Sequence, residues 1–122
     1  MKIDDDRYQI ELEHKAEDLR QILRRRGQLI AERAPEELEE TLLVAEREAA
    51  AHDLERSYRL LRQVEAALAR LRTGEYGSCL NCKRAIAEKR IRAVPWAMYC
   101  VDCQELVDRL HEQVSALRKP AA

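Results

Sequence analysis

Cys79-Leu80-Asn81-Cys82, then seventeen residues, then Cys100-Val101-Asp102-Cys103: the fold turns on this stretch. Two thiolates two residues apart can hold one metal from a tight knuckle turn, and two such knuckles complete a tetrahedral S4 shell. Zinc suits that shell because it is borderline-soft and imposes no geometry of its own. The chain has four Cys in all, so the shell takes every one. A catalytic zinc keeps a position open for water, so this one would be closed and structural. Two disulfides, a redox pair, or iron in the same shell are the alternatives. In a reducing cytoplasm, paired Cys-x-x-Cys motifs more often hold metal than bridge. The metal's role would be to hold a segment of about 25 residues that cannot bury enough surface to fold alone.

Inside that segment the apolar residues are Ile86, Ile91, Val94, Trp96 and Tyr99. A lone Trp beside a zinc site either offers an aromatic to a partner or packs the finger onto its neighbours. Packing is expected here, against the base of the preceding helices and the last helix. Lys83, Arg84, Lys89, Arg90 and Arg92 make a basic surface. Lys89, Arg90 and Arg92 are candidates for contacting a partner, and a solvated finger surface is the competing reading.

Upstream, residues 4 to 32 contain no Pro and only Gly27. Leu12, Ala16, Leu19, Leu23 and Ile30 recur at spacings of four, three, four and seven, with Arg26 in the seam. That is a heptad-like stripe on a helix. Pro35 breaks it, since proline is poor inside a helix but suits its first turn. Glu36, Glu37, Glu39 and Glu40 follow, and acids favour a helix N-terminus. A second helix then runs to about Thr73, with Gly74 as its stop. Its seam is Leu43, Ala50, Leu54, Ser57, Leu61, Val64, Leu68 and Leu71. Two long amphipathic helices joined by a short turn bury their stripes against each other or against another chain. The expectation is an antiparallel hairpin, a coiled coil folded on itself, with one continuous helix in an intermolecular coiled coil as the alternative. Downstream, residues 102 to 117 return to helix, with Leu106, Val107, Leu110, Val114 and Leu117 on one face and Pro120 beyond them.

The predicted fold is therefore mainly α. A long antiparallel coiled-coil hairpin, residues 1–73 with its tip near 33–37, precedes a small globular part, residues 74–122. That part comprises a C4, zinc-ribbon-like finger and a C-terminal helix.

Composition agrees. Charged residues make up 37% and aromatics 4%, which suits long helices better than a thick core. Basic and acidic residues number 22 and 23, for a net charge of -1. General attraction to nucleic acid or membrane rests on excess positive charge and is not indicated. No apolar run reaches 18 residues, so no transmembrane helix is expected. The acidic N-terminus does not read as a signal peptide, and a cytoplasmic location is expected.

The residues also carry a resemblance. Tyr76-Gly77-Ser78-Cys79-Leu80-Asn81-Cys82, then Ile86, then Arg90-Ile91-Arg92-Ala93-Val94-Pro95-Trp96-Ala97, then Cys100-Val101-Asp102-Cys103 resemble the DksA/TraR family of bacterial zinc-finger proteins. The match is specific over about residues 74 to 105 and extends as architecture to the flanking helices. It implies a C4 finger with a protruding antiparallel coiled coil. It also implies direct binding to RNA polymerase through the secondary channel, with acidic tip residues acting near the active site. Members change open-complex stability, often with the alarmone ppGpp.

Counting back from Cys79 without a gap, the family's tip pattern of Pro followed by Asp-x-x-Asp-x-Ala falls on Pro35, Glu36, Glu39 and Thr41. Charge is kept, but each carboxylate stands one methylene farther out. Glu36, Glu39 and Thr41 are the candidate tip contacts, and helix capping by the acids is the competing reading. Basic positions used for ppGpp in the family fall on Gln63, Val94 and Gln104. Phosphates want cationic donors, so a matching ppGpp response is not expected. The chain also begins near its first coiled-coil helix, without the family's extra N-terminal segment.

The function so implied is a transcription regulator, not an enzyme, acting as a monomer on RNA polymerase without sequence-specific DNA binding. No nucleophile–base pair is suggested, and His14, His52 and His111 are scattered among charged helix residues, where solvated positions are expected. One alternative is a zinc-ribbon interaction module with a different partner. Another is a direct nucleic-acid binder, disfavoured by the neutral charge and few aromatics.

Overall fold

Asp4 opens the first helix: its carboxylate accepts a hydrogen bond from the Arg7 backbone N–H at 3.3 Å, satisfying one of the donors a helix N-terminus leaves free. The computed structural model describes residues 4–32 and 40–118, and side chains over 4–28 and 44–117. Four helices follow in order: α1 (Asp5–Glu32), α2 (Glu40–Thr73), α3 (Glu88–Ala93) and α4 (Val101–Arg118). No strand occurs among the described residues; Ser78 and Ala85 form one isolated antiparallel bridge. The protein is mainly α, as predicted. The expected tip, with Pro35, lies outside the described residues.

Helices α1 and α2 pack on each other along their length. Two contacts fix their sense. Near the start of α1, the Tyr8 ring meets that of Tyr76, just past the end of α2, with centroids 5.9 Å apart. Near the other end, Arg26 pairs with Asp53 at 3.8 Å. The helices are antiparallel within one chain, so the hairpin holds rather than an intermolecular coiled coil.

The buried stripe on α1 is Tyr8, Leu12, Ala16, Leu19 and Leu23. It matches the sequence pattern and extends it by Tyr8. Arg26, read as a seam position, is exposed on the surface of the hairpin. On α2, Leu61 and Val64 are buried as expected, while Ala50, Leu54, Ser57, Leu68 and Leu71 are half-buried. Ala67 and Arg70 are buried too, though the heptad reading left them out. Positions 61, 64, 67 and 70 step by three, so the buried arc drifts around α2. The lower end of α2 faces the finger as well as α1, and a two-faced helix needs a wider arc than a two-helix seam.

Helix α2 stops where glycine permits. Gly74 has φ of +78°, and the Glu75 N–H donates back to the Arg70 carbonyl at 2.9 Å, a Schellman closure. From there Tyr76, Cys79, Ile86, Ile91, Ala97 and Cys103 join Leu12 and Val64 in one continuous buried cluster. Leu12, Ile91 and Val64 are fully buried; each such side chain contributes about 1.5–3 kcal/mol. No described side chain is buried over 24–28 or 44–49.

Trp96 packs as expected against that cluster, with the Lys15 ammonium of α1 5.7 Å from its ring centre. The last helix shares in this packing through Cys103, which lies in the cluster, and not through the rest of its apolar face. Helix α4 spans the predicted residues, yet Leu106, Leu110, Val114 and Leu117 on its apolar face are exposed. A cleft of about 890 Å³ separates it from α2, lined in part by Arg59, Gln63, Gln104, Asp108 and His111. His14, His52 and His111 are all exposed, and no helix of the described residues is long and apolar enough to cross a membrane.

Candidate metal centre

The first cysteine pair is shaped by backbone hydrogen bonds. Ile86 N donates to Gly77 O at 2.7 Å, Cys79 N to Arg84 O at 2.8 Å, and Lys83 N to Cys79 O at 3.0 Å. The chain doubles back tightly, and the turn places Lys83 at φ of +63°. That left-handed conformation costs a side-chain-bearing residue about 1 kcal/mol, which the surrounding bonds offset. The second pair is shaped by a helix start. Cys100 precedes α4 and Cys103 sits in its first turn, where residues three apart share a face. Leu80 N donates to Met98 O at 2.9 Å, tying the first turn to the segment that leads into the second.

All four Sγ atoms lie within 4.8 Å of one another. Those of Cys82 and Cys100 are 3.8 Å apart. A tetrahedral zinc with sulfur at about 2.3 Å places its sulfurs about 3.8 Å from each other, so the donor set fits one such ion. The thiols form one cluster, not two bonded pairs. The cluster is lopsided: Cys79 and Cys103 are buried, Cys100 is half-buried and Cys82 is exposed.

Electrostatics within the cluster favour a cation. Burial pushes the Cys79 thiol up. Hydrogen bonding from the backbone N–H groups of Cys82, Cys100 and Asn81, with the Cys82 thiol, outweighs that and brings it down to about 6. Cys103 moves the other way. The Asn81 side chain favours its thiolate, but Cys100, burial, Cys79 and Cys82 oppose it and drive it up to about 11. One thiol therefore ionises readily while another resists, because negative charge accumulates in a small space. A dication that pairs with all four removes that repulsion.

Two polar contacts brace the finger, the first within it and the second from the hairpin. Tyr76 donates its hydroxyl to the Pro95 carbonyl at 2.7 Å. Arg70 donates Nη2 to the Ala97 carbonyl at 3.3 Å. Burial lowers the Arg70 pKa, against the pull of Tyr76, Glu75 and Tyr99, and its buried Nε has no partner among the described residues.

Of the other sequence candidates, Glu36 and Glu39 lie outside the described residues, and Thr41 falls in α2 without a described side chain. Lys89 is exposed on α3. Arg90 donates Nε to the Tyr99 carbonyl at 3.0 Å and Nη2 to Gln104 Oε1 at 3.5 Å. Arg92 pairs with Glu88 at 3.2 Å. Gln63 and Gln104 line the α2–α4 cleft, and Val94 packs on the core cluster. Sequence reasoning missed Asn81, whose side-chain amide donates to Cys103 Sγ at 3.3 Å, and the bracing pair Arg70 and Tyr76.

Comparison with known proteins bears on this site directly. Residues 74–109 match the family model described as the prokaryotic dksA/traR C4-type zinc finger. The chain is 33% identical over 85 residues to the RNA polymerase-binding transcription factor DksA of Haemophilus influenzae, a stretch covering 70% of this chain and 54% of that protein. It thus spans about half the length of that curated relative. The structure resembles that of transcription factor DksA2 from Pseudomonas aeruginosa, with a TM-score of 0.70, 26% identity, and coverage of 88% of this chain and 85% of that one. The solution structure of a DnaK suppressor protein from Agrobacterium tumefaciens is also similar, with a TM-score of 0.59, 26% identity, and coverage of 87% and 96%. Donor set, sulfur spacing and finger match agree on one structural zinc held by Cys79, Cys82, Cys100 and Cys103.

Proposed function

Because this is a DksA-like protein whose residues 74–109 form a dksA/traR C4-type zinc finger, we propose that it is a transcription regulator that binds RNA polymerase. The hairpin enters the secondary channel and its tip, around Glu36, Glu39 and Thr41, approaches the polymerase active site. One observation carries the reading. Among the described residues the buried cluster reaches no farther than Leu23 on α1, and every described side chain over 24–28 and 44–49 is exposed. At about 1.5 Å per residue, α1 alone runs roughly 40 Å. An arm that long, with its described side chains exposed over 24–28 and 44–49, suits reaching into a partner. The zinc finger, braced by Arg70 and Tyr76, sets the arm's base.

The reading requires no catalysis by this chain, and its shell of four thiolates leaves zinc no open position for chemistry. It places action in the cytoplasm, by a monomer, without sequence-specific DNA contact. The neutral residues Gln63, Val94 and Gln104 at the positions aligned with the family's ppGpp contacts support a regulator that does not use ppGpp in that way. Lys89 and Arg92, exposed on α3, are available to an acidic face of the polymerase.

The test is a pull-down with purified polymerase at low salt, with and without a protein that occupies the secondary channel. Binding that the competitor abolishes is expected, and an absence of binding, or indifference to the competitor, overturns the proposal. In the same system, Glu36→Ala with Glu39→Ala should spare binding and remove the effect on in vitro transcription. An unchanged effect would take the tip out of the account.

A further inference from the structure

The four zinc ligands are not held alike. Cys79 is fully buried and Cys103 nearly so, and Cys103 has a side-chain N–H donor directed to it. Cys82 is exposed and Cys100 half-buried. The donor to Cys103 is a side chain from the other knuckle: Asn81 Nδ2, 3.3 Å from Cys103 Sγ and 22 residues away in sequence. Asn81 sits between Cys79 and Cys82, so one short turn supplies two ligands and reaches across to hold a third.

An N–H donor directed at a metal-bound thiolate withdraws charge from the sulfur and fixes its direction, and groups of this kind govern how firmly a metal is kept. We propose that Asn81 is a positioning residue for the zinc site: it locks Cys103 onto the metal, so that Cys82 is the ligand that lets go first. Loss of zinc then begins at the solvent face, through Cys82 and Cys100, while Cys79 and Cys103 stay in place. The finger can open at one corner without releasing the cysteines that belong to the shared core. Nothing in the Cys-x2-Cys spacing requires this, because any residue could stand at position 81. This amide, together with burial, distinguishes Cys103 from Cys82.

The test uses the full-length, metal-loaded chain. With cadmium-113 in place of zinc, a scalar coupling between the metal and the Asn81 side-chain amide protons reports the hydrogen bond itself. It is expected in the native chain and lost in Asn81→Asp, which keeps the shape and removes the donor. Zinc release to a chromophoric chelator should be about tenfold faster in Asn81→Asp than in the native chain. Limited alkylation of the zinc-loaded native protein, read cysteine by cysteine by mass spectrometry, should modify Cys82 first and Cys103 late. Asn81→Asp should bring Cys103 forward. Lack of the coupling in the native chain, alkylation of Cys103 as early as Cys82, or unchanged release from Asn81→Asp would each overturn the proposal. If Asn81→Asp fails to load metal, the coupling and the native alkylation order decide the question without it.

Discussion

At the scale of single residues, polar contacts supplement the apolar core that finger and hairpin share. Tyr76 is the clearest. Burial raises its phenol pKa above the ordinary value near 10, with Tyr8 adding to the rise and Arg70 opposing it. A phenol with a raised pKa in the folded state contributes stability that is fully present below about pH 10. That stability is lost as the pH climbs, because the unfolded chain ionises first. Tyr76→Phe removes the hydroxyl and its bond to the Pro95 carbonyl. It should cost about 1 kcal/mol at neutral pH and reduce the fall in stability at alkaline pH. Urea unfolding at neutral pH and at about pH 10.5, followed by the fluorescence of the single Trp96, checks both. Arg70 beside it is a charge taken out of water with one donor engaged and one orphaned. Its burial was illegible in the sequence, because a long cationic side chain one step off a heptad reads as surface.

At the scale of elements, the helix boundaries followed from local chemistry. Gly74 was the expected stop of α2, and it takes the left-handed conformation that a stop needs. A Cβ added there would meet no atom within 4 Å, so any effect of substitution is backbone strain alone. Gly74→Ala should destabilise the protein by about 1 kcal/mol, seen as a lower urea midpoint with an unchanged slope. No change in midpoint would mean the turn relaxes out of the left-handed region. The stripe from Leu12 to Leu23 and the four cysteines were readable because each is a spacing, and spacing survives in one dimension. Helix α4 is a helix as expected, and most of its apolar face is exposed. Amphipathic periodicity says that a face is apolar, not which surface covers it, and here no element of the hairpin does. The Asn81 bond to Cys103 was out of reach for another reason. It joins residues 22 apart that only the assembled knuckles bring together.

At the scale of the molecule, the parts form a lever. The zinc knits two knuckles, the knuckles share a core with the lower parts of α1 and α2, and no described side chain is buried over 24–28 or 44–49. The match to the dksA/traR finger covers residues 74–109, whereas the mechanism proposed rests on where the other end goes. The charge balance of the whole chain, -1, fits a protein guided by shape and local contacts more than by a general attraction to nucleic acid. The most direct measurement is site-specific crosslinking from a photoreactive amino acid placed at position 36, in the complex with RNA polymerase. The account predicts crosslinks to polymerase segments that border the active site at the inner end of the secondary channel. Crosslinks confined to the outer surface of the enzyme, or to DNA, would contradict it.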